Sequence, residues 1–189
     1  CGGGEAVPPP VVPPMDTTAP APPPQVPVPD PSCKEALDQK HAKTFDICKT
    51  ECLASNLESC LLSGKFELAR SGADGATRAL PFFGKACESG SEEGCLRASE
   101  AVRPSNPAES VRLAQLGCKA EPATDFGVKN CYAAASVRAG TGKLEELQAA
   151  LPVFANGCRK GHPQSCAAKS KAEAAIREAT APIEYEGAL

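Results

Sequence analysis

Residues 85–96 read Lys85-Ala86-Cys87-Glu88-Ser89-Gly90-Ser91-Glu92-Glu93-Gly94-Cys95-Leu96, with seven residues between the two cysteines. The same interval separates Cys52 from Cys60 and Cys158 from Cys166, and Cys118 to Cys131 is a similar pair with five more residues inside it. The second members, Cys60, Cys95, Cys131 and Cys166, recur at spacings of 35, 36 and 35 residues. A fixed period of this size marks one supersecondary unit repeated along the chain.

The flanks agree with the cysteines. Ala79-Leu80-Pro81-Phe82-Phe83-Gly84-Lys85-Ala86-Cys87 aligns with Ala150-Leu151-Pro152-Val153-Phe154-Ala155-Asn156-Gly157-Cys158, and Ser110 to Cys118 lies between them. The first copy, from Thr44 to Cys52, diverges most, as a terminal repeat does when one face caps a stack. Within a unit the signals are helical. Ser32-x-x-Glu35, Ser55-x-x-Glu58 and Asn106-Pro107-x-Glu109 mark helix starts, where a capping oxygen accepts from free backbone N–H groups and proline suits the first position. Gly72, Gly90, Gly140 and Gly161 mark helix ends. Pro81 and Pro152 fall inside first helices and call for a kink or a late start.

Each unit therefore reads as helix, short turn, helix. The first cysteine of a pair lies in the last turn of the first helix and the second at the start of the return helix. Across an antiparallel hairpin those positions bring Cα atoms within the roughly 4.4–6.8 Å that a disulfide needs. The expected bridges are Cys52–Cys60, Cys87–Cys95, Cys118–Cys131 and Cys158–Cys166. A loop of about nine residues closed this way contributes about 2.5 kcal/mol in the loop-entropy account. Cys33 and Cys48 remain and pair by elimination. One continuous helix would hold them about 22 Å apart, so the chain must break near His41 to Thr44, where no Gly or Pro stands.

Eleven cysteines in 189 residues point to export, because reduced compartments seldom hold so many outside metal sites. No Cys-x-x-Cys occurs, and the nearest zinc set is Cys48, Cys52 and Cys60 with His41. No metal and no cofactor is expected. The aromatic content is only 4%, so Ala and Leu must fill much of the core. From Ser32 onward 20 acids balance 20 bases without a long basic run, which disfavours nucleic acid as a partner. No apolar run approaches the roughly 18 residues of a membrane span.

Residues 1–31 hold 12 of the 19 prolines and no Lys or Arg. They read as a disordered polyproline-type stalk, of which residues 5–31 extend to roughly 80 Å at about 3.1 Å per residue. The opening Cys1-Gly2-Gly3-Gly4 resembles the processed end of bacterial lipoproteins, with Cys1 as the lipidated residue after signal-peptide cleavage. Without Cys1, ten cysteines remain for complete pairing. The expected organisation is a lipid-anchored stalk over 1–31, a helical repeat domain over 32–180 and a short tail over 181–189. Gly2 lacks the acidic neighbour of inner-membrane retention, which favours an outer-membrane lipoprotein facing the periplasm or the exterior.

Lys85-Ala86-Cys87-Glu88-Ser89-Gly90 followed by Glu93-Gly94-Cys95-Leu96, on a period near 36, resembles the Sel-one-like repeat family, which is related to tetratricopeptide repeats. The stapled form is similar to the Helicobacter cysteine-rich proteins, and the resemblance covers roughly residues 45–175. It departs from the pattern in the longer Cys118–Cys131 loop, in Pro81 and Pro152, and in lacking the usual glycine-rich stretch of the second helix. The resemblance implies an all-α, right-handed superhelical solenoid of about four disulfide-bridged hairpins, with first helices lining a concave face. It implies a non-catalytic scaffold that binds an envelope or extracellular protein, with no small-molecule substrate. The alternative is a cell-wall-linked enzyme or penicillin-binding protein on the same repeat. Against it, the chain has no Ser-x-x-Lys, no Lys-Thr-Gly and no Gly-x-Ser-x-Gly. A Ser-His-acid site would have to use His41 or His162, both expected as surface residues. Gly140-Thr141-Gly142-Lys143 lacks the rest of a phosphate loop and reads as a turn, with Glu145-Glu146 opening the next helix. Phe82, Phe83, Phe126, Tyr132 and Phe154 read as packing between hairpins.

Overall fold

The computed structural model describes residues 31–70 and 74–181; the lipidation expected at Cys1, the stalk over 1–30, the helix stop expected at Gly72 and the tail over 182–189 lie outside them. Among the described residues the chain is all-helical, with nine helices and no strand. They are α1 (Cys33–Asp38), α2 (Thr44–Leu53), α3 (Leu57–Ala69), α4 (Gly75–Glu88), α5 (Glu92–Val102), α6 (Pro107–Gly117), α7 (Asp125–Ala139), α8 (Leu144–Arg159) and α9 (Pro163–Thr180). Each helix packs on the next in sequence, and α5 also packs on α7, α4 on α6 and α7 on α9.

Five disulfides tie the helices together: Cys33–Cys48, Cys52–Cys60, Cys87–Cys95, Cys118–Cys131 and Cys158–Cys166, with Cα separations of 4.4–4.6 Å. The spacing of eight has a local cause that repeats three times. After the first cysteine the chain turns through a residue with positive φ, namely Ser55 at 71°, Gly90 at 89° and Gly161 at 81°. The next residue is the N-cap of the return helix, and its N–H bonds back to the residue before the first cysteine. These bonds are Asn56 N–H to Glu51 O (3.0 Å), Ser91 N–H to Ala86 O (3.0 Å) and His162 N–H to Gly157 O (3.0 Å). The left-handed residue satisfies the last carbonyls of one helix and starts the next helix in the same step. Four residues past the N-cap, one turn into the return helix, stands the second cysteine.

Small residues let the helices approach that closely. A Cβ on Gly94 would stand 2.7 Å from Ala86 Cβ, and one on Gly157 would stand 2.8 Å from Ser165 Cβ. In the third unit Gly117 faces the buried Asn130 in the same manner.

The break between Cys33 and Cys48 is also a left-handed turn, made by Lys40 at φ 51°. His41 N–H bonds to Ala36 O at 2.8 Å, and Thr44 Oγ1 donates to the same carbonyl at 3.0 Å. His41 is thus an exposed turn residue, as expected of a surface position. Three expectations need correction. Ser55 is the turn residue, and Asn56 caps α3 by accepting from Ser59 N–H at 3.1 Å. Gly140 ends α7 in a right-handed conformation, and Gly142 takes the positive φ, 69°. Of the kink or late start expected at the two prolines, the late start does not occur: α4 and α8 run through Pro81 and Pro152. Both prolines are exposed, as are Thr77 and Gln148 one turn before them, so the carbonyls they leave unbonded face water. The capping box at Ser32 and Glu35, the Asn106 cap and the acidic first turn of α8 form as expected.

Phe83 and Phe154 are fully buried, each at the centre of one hydrophobic cluster. Phe82 is partly buried and meets Phe45 edge-on, as Phe66 does. Phe126 and Tyr132 stay half-buried. Most of the remaining core is Ala and disulfide sulfur, in keeping with the low aromatic content.

Candidate functional site

The longer third loop, between α6 and α7, is held by groups from both neighbouring units. Glu92, at the start of α5, is buried and accepts from Ala123 N–H (3.3 Å), Thr124 N–H (3.1 Å) and Thr124 Oγ1 (2.5 Å). Asn130 Nδ2 donates to the Glu92 carbonyl at 2.7 Å. From the other side Lys160 Nζ reaches Pro122 O at 2.8 Å. Burial pushes the Glu92 carboxyl up, but hydrogen bonds from Thr124 and Ala123 and the charge of Lys119 together hold it below its ordinary value. Sequence reading does not single out Glu92, because its partners lie more than 30 residues away.

Over this braced frame helices α5 to α9 line two adjoining depressions. One, of about 640 Å³, lies between α5, α6 and α7 and is walled by Leu96, Val111, Ala114, Tyr132 and Val137. The other, of about 630 Å³, lies between α7, α8 and α9 and is walled by Tyr132, Phe154, Ala168 and Ala172. Tyr132 and Ser136 line both, so one ridge of α7 separates two halves of a continuous apolar surface. First and second helices both line these depressions, α6 and α8 among them. Val137 is 53% exposed on this surface.

Tyr132 is positioned by its neighbours. Its ring centroid stands 6.0 Å from Phe154 and 5.1 Å from His162, the latter edge-on. His162 caps α9, and its Nδ1 is 2.7 Å from Ser165 Oγ. Burial is the main influence holding the His162 pKa below the usual histidine value, with Lys129 adding to it and Asp125 opposing it. His162 is therefore half-buried against an aromatic ring and not a free surface residue. The Ser165–His162 pair does not form an accessible nucleophile and base. Ser165 is 1% exposed beneath Gly157, three residues into the helix it helps to start. A serine that attacks a substrate must reach solvent.

The cysteines nearest to a zinc set are engaged otherwise, Cys48 with Cys33 and Cys52 with Cys60. His41 Nδ1 accepts from Lys43 N–H at 3.2 Å. Among the described residues no group of three or more His, Cys, Asp or Glu is placed to hold a metal ion, and no helix is long and apolar enough to cross a membrane. The Gly140–Lys143 stretch is the turn joining α7 to α8, with Thr141 Oγ1 donating to Arg138 O at 2.9 Å. Compared with known proteins, the chain matches no family model, no curated protein and no solved structure.

Proposed function

We propose that this chain is a non-catalytic scaffold that binds another protein along the surface formed by helices α5 to α9. The observation that carries the reading is the pair of adjoining apolar depressions, about 640 and 630 Å³, that share Tyr132. Each wall helix is tied to its neighbour by one disulfide, so a binding surface is presented with little conformational entropy left to lose. The helices follow one another as hairpins on a period of 35–36 residues, which supports a right-handed solenoid of about four units of the Sel-one-like type. Five disulfides support an oxidising compartment, in line with an envelope or extracellular location.

Site-specific photocrosslinking in the native cell tests the binding role. A crosslinker at Val137 is expected to give a discrete protein adduct, while one at the exposed Leu53, on α2, is expected to give none. Equal labelling at both positions, or no adduct at Val137, would contradict the proposal.

A further inference from the structure

The charges around the α5–α7 depression narrow the kind of partner it fits. Asn130 Nδ2 bonds to Glu92 O, which places Lys129 beside the first turn of α5. Arg103 follows the other end of α5, eleven residues on, or about 16 Å at 1.5 Å per residue. Both side chains line the depression, both are exposed, and neither makes an ion pair among the described residues. The one acid on the same rim, Glu100, is already paired with Arg97 at 3.4 Å. His162, beside Tyr132 on the same rim, is held towards its neutral form by burial. An apolar floor with a spare cation at each end remains.

Resting on the scaffold reading, we propose that this groove takes an amphipathic helical segment of a partner protein with carboxylates about three turns apart. Apolar side chains between those carboxylates lie over Tyr132 and Val137. One carboxylate meets Lys129 and the other Arg103. Two elements of this fit are independent: burial of apolar side chains supplies affinity, and the charge pairs set polarity and partner choice.

The probe is a synthetic acetylated and amidated helix with two Glu three turns apart and Leu between them, beside a matched helix with Lys at the Glu positions. Binding to the full disulfide-intact chain is read by fluorescence anisotropy. The Glu helix is expected to bind at least about tenfold more tightly than the Lys helix, as two partly exposed charge pairs allow. Arg103→Glu with Lys129→Glu, both at exposed positions, should reverse that order. Equal affinities, an order unchanged by the double substitution, or no binding of either helix would overturn the proposal. A Val137 adduct found alongside such a result would leave the scaffold reading standing and remove only the acidic partner.

Discussion

Removing the Glu92 carboxylate should loosen the third hairpin from the second. In Glu92→Ala, Ala123 N–H, Thr124 N–H and Thr124 Oγ1 lose a charged acceptor, while the Asn130 bond to the backbone carbonyl survives. Hydrogen bonds to a buried charge contribute about 1.5–3 kcal/mol each. Ala123 and Thr124 are exposed, however, so water replaces much of what is lost. The net cost should be about 2 kcal/mol for Glu92→Ala and about half that for Glu92→Gln, which keeps one carbonyl acceptor. For a domain of this size that corresponds to a drop of about 4–8 °C in Tm for the alanine variant. The pH dependence follows from the lowered pKa of Glu92 in the folded state. Stability from the carboxylate is fully present above its unfolded value of about 4.3 and is lost as pH falls through the lower folded value. Wild type and Glu92→Gln should therefore differ at neutral pH and converge in strong acid. The assay is thermal melting of both proteins across that range, with hydrogen exchange at the first turn of α7 as a local readout. Identical melting at neutral pH, or a gap unchanged in strong acid, would refute the bracing role.

Gly94→Ala places a methyl 2.7 Å from Ala86 Cβ and 2.9 Å from Cys87 N, and should destabilise by about 1–3 kcal/mol in chemical denaturation. Lys40→Gly and Ser55→Gly relieve left-handed strain in side-chain-bearing residues, and each should raise stability by about 0.5–1 kcal/mol in the same assay. Phe154→Ala empties the centre of the C-terminal cluster and should cost about 3–5 kcal/mol, seen as a lower midpoint with the disulfides intact. Replacing Cys87 and Cys95 together by serine should cost about 2–4 kcal/mol and make the hairpin turn at Gly90 the first site of proteolysis.

The hairpins and their bridges are legible in the sequence because their causes are local. A cysteine, a left-handed residue three positions on, an N-cap and a second cysteine all fall within nine residues, and glycine announces the turn in two of the three copies. Lys40 and Ser55 hide their turns, since neither residue advertises positive φ, although local backbone bonds close both turns. Ser55 imitates a cap because the Ser-x-x-Glu pattern fits one residue early. Pro81 and Pro152 mislead because sequence does not show which side of a helix meets water. The groove is less legible still. Tyr132 reads as packing, and its place on a ridge shared by two depressions follows from α7 lying beside both α5 and α9. Glu92 carries no local signal at all, as its donors come from the next hairpin.

Non-reducing peptide mapping of the protein isolated from its own cells, with thiols blocked at lysis, tests the stapled-hairpin account most directly. The predicted result is five linked peptide pairs, Cys33–Cys48, Cys52–Cys60, Cys87–Cys95, Cys118–Cys131 and Cys158–Cys166, with none of these ten cysteines blocked. Blocked thiols at these positions, or bridges that join different hairpins, would contradict it.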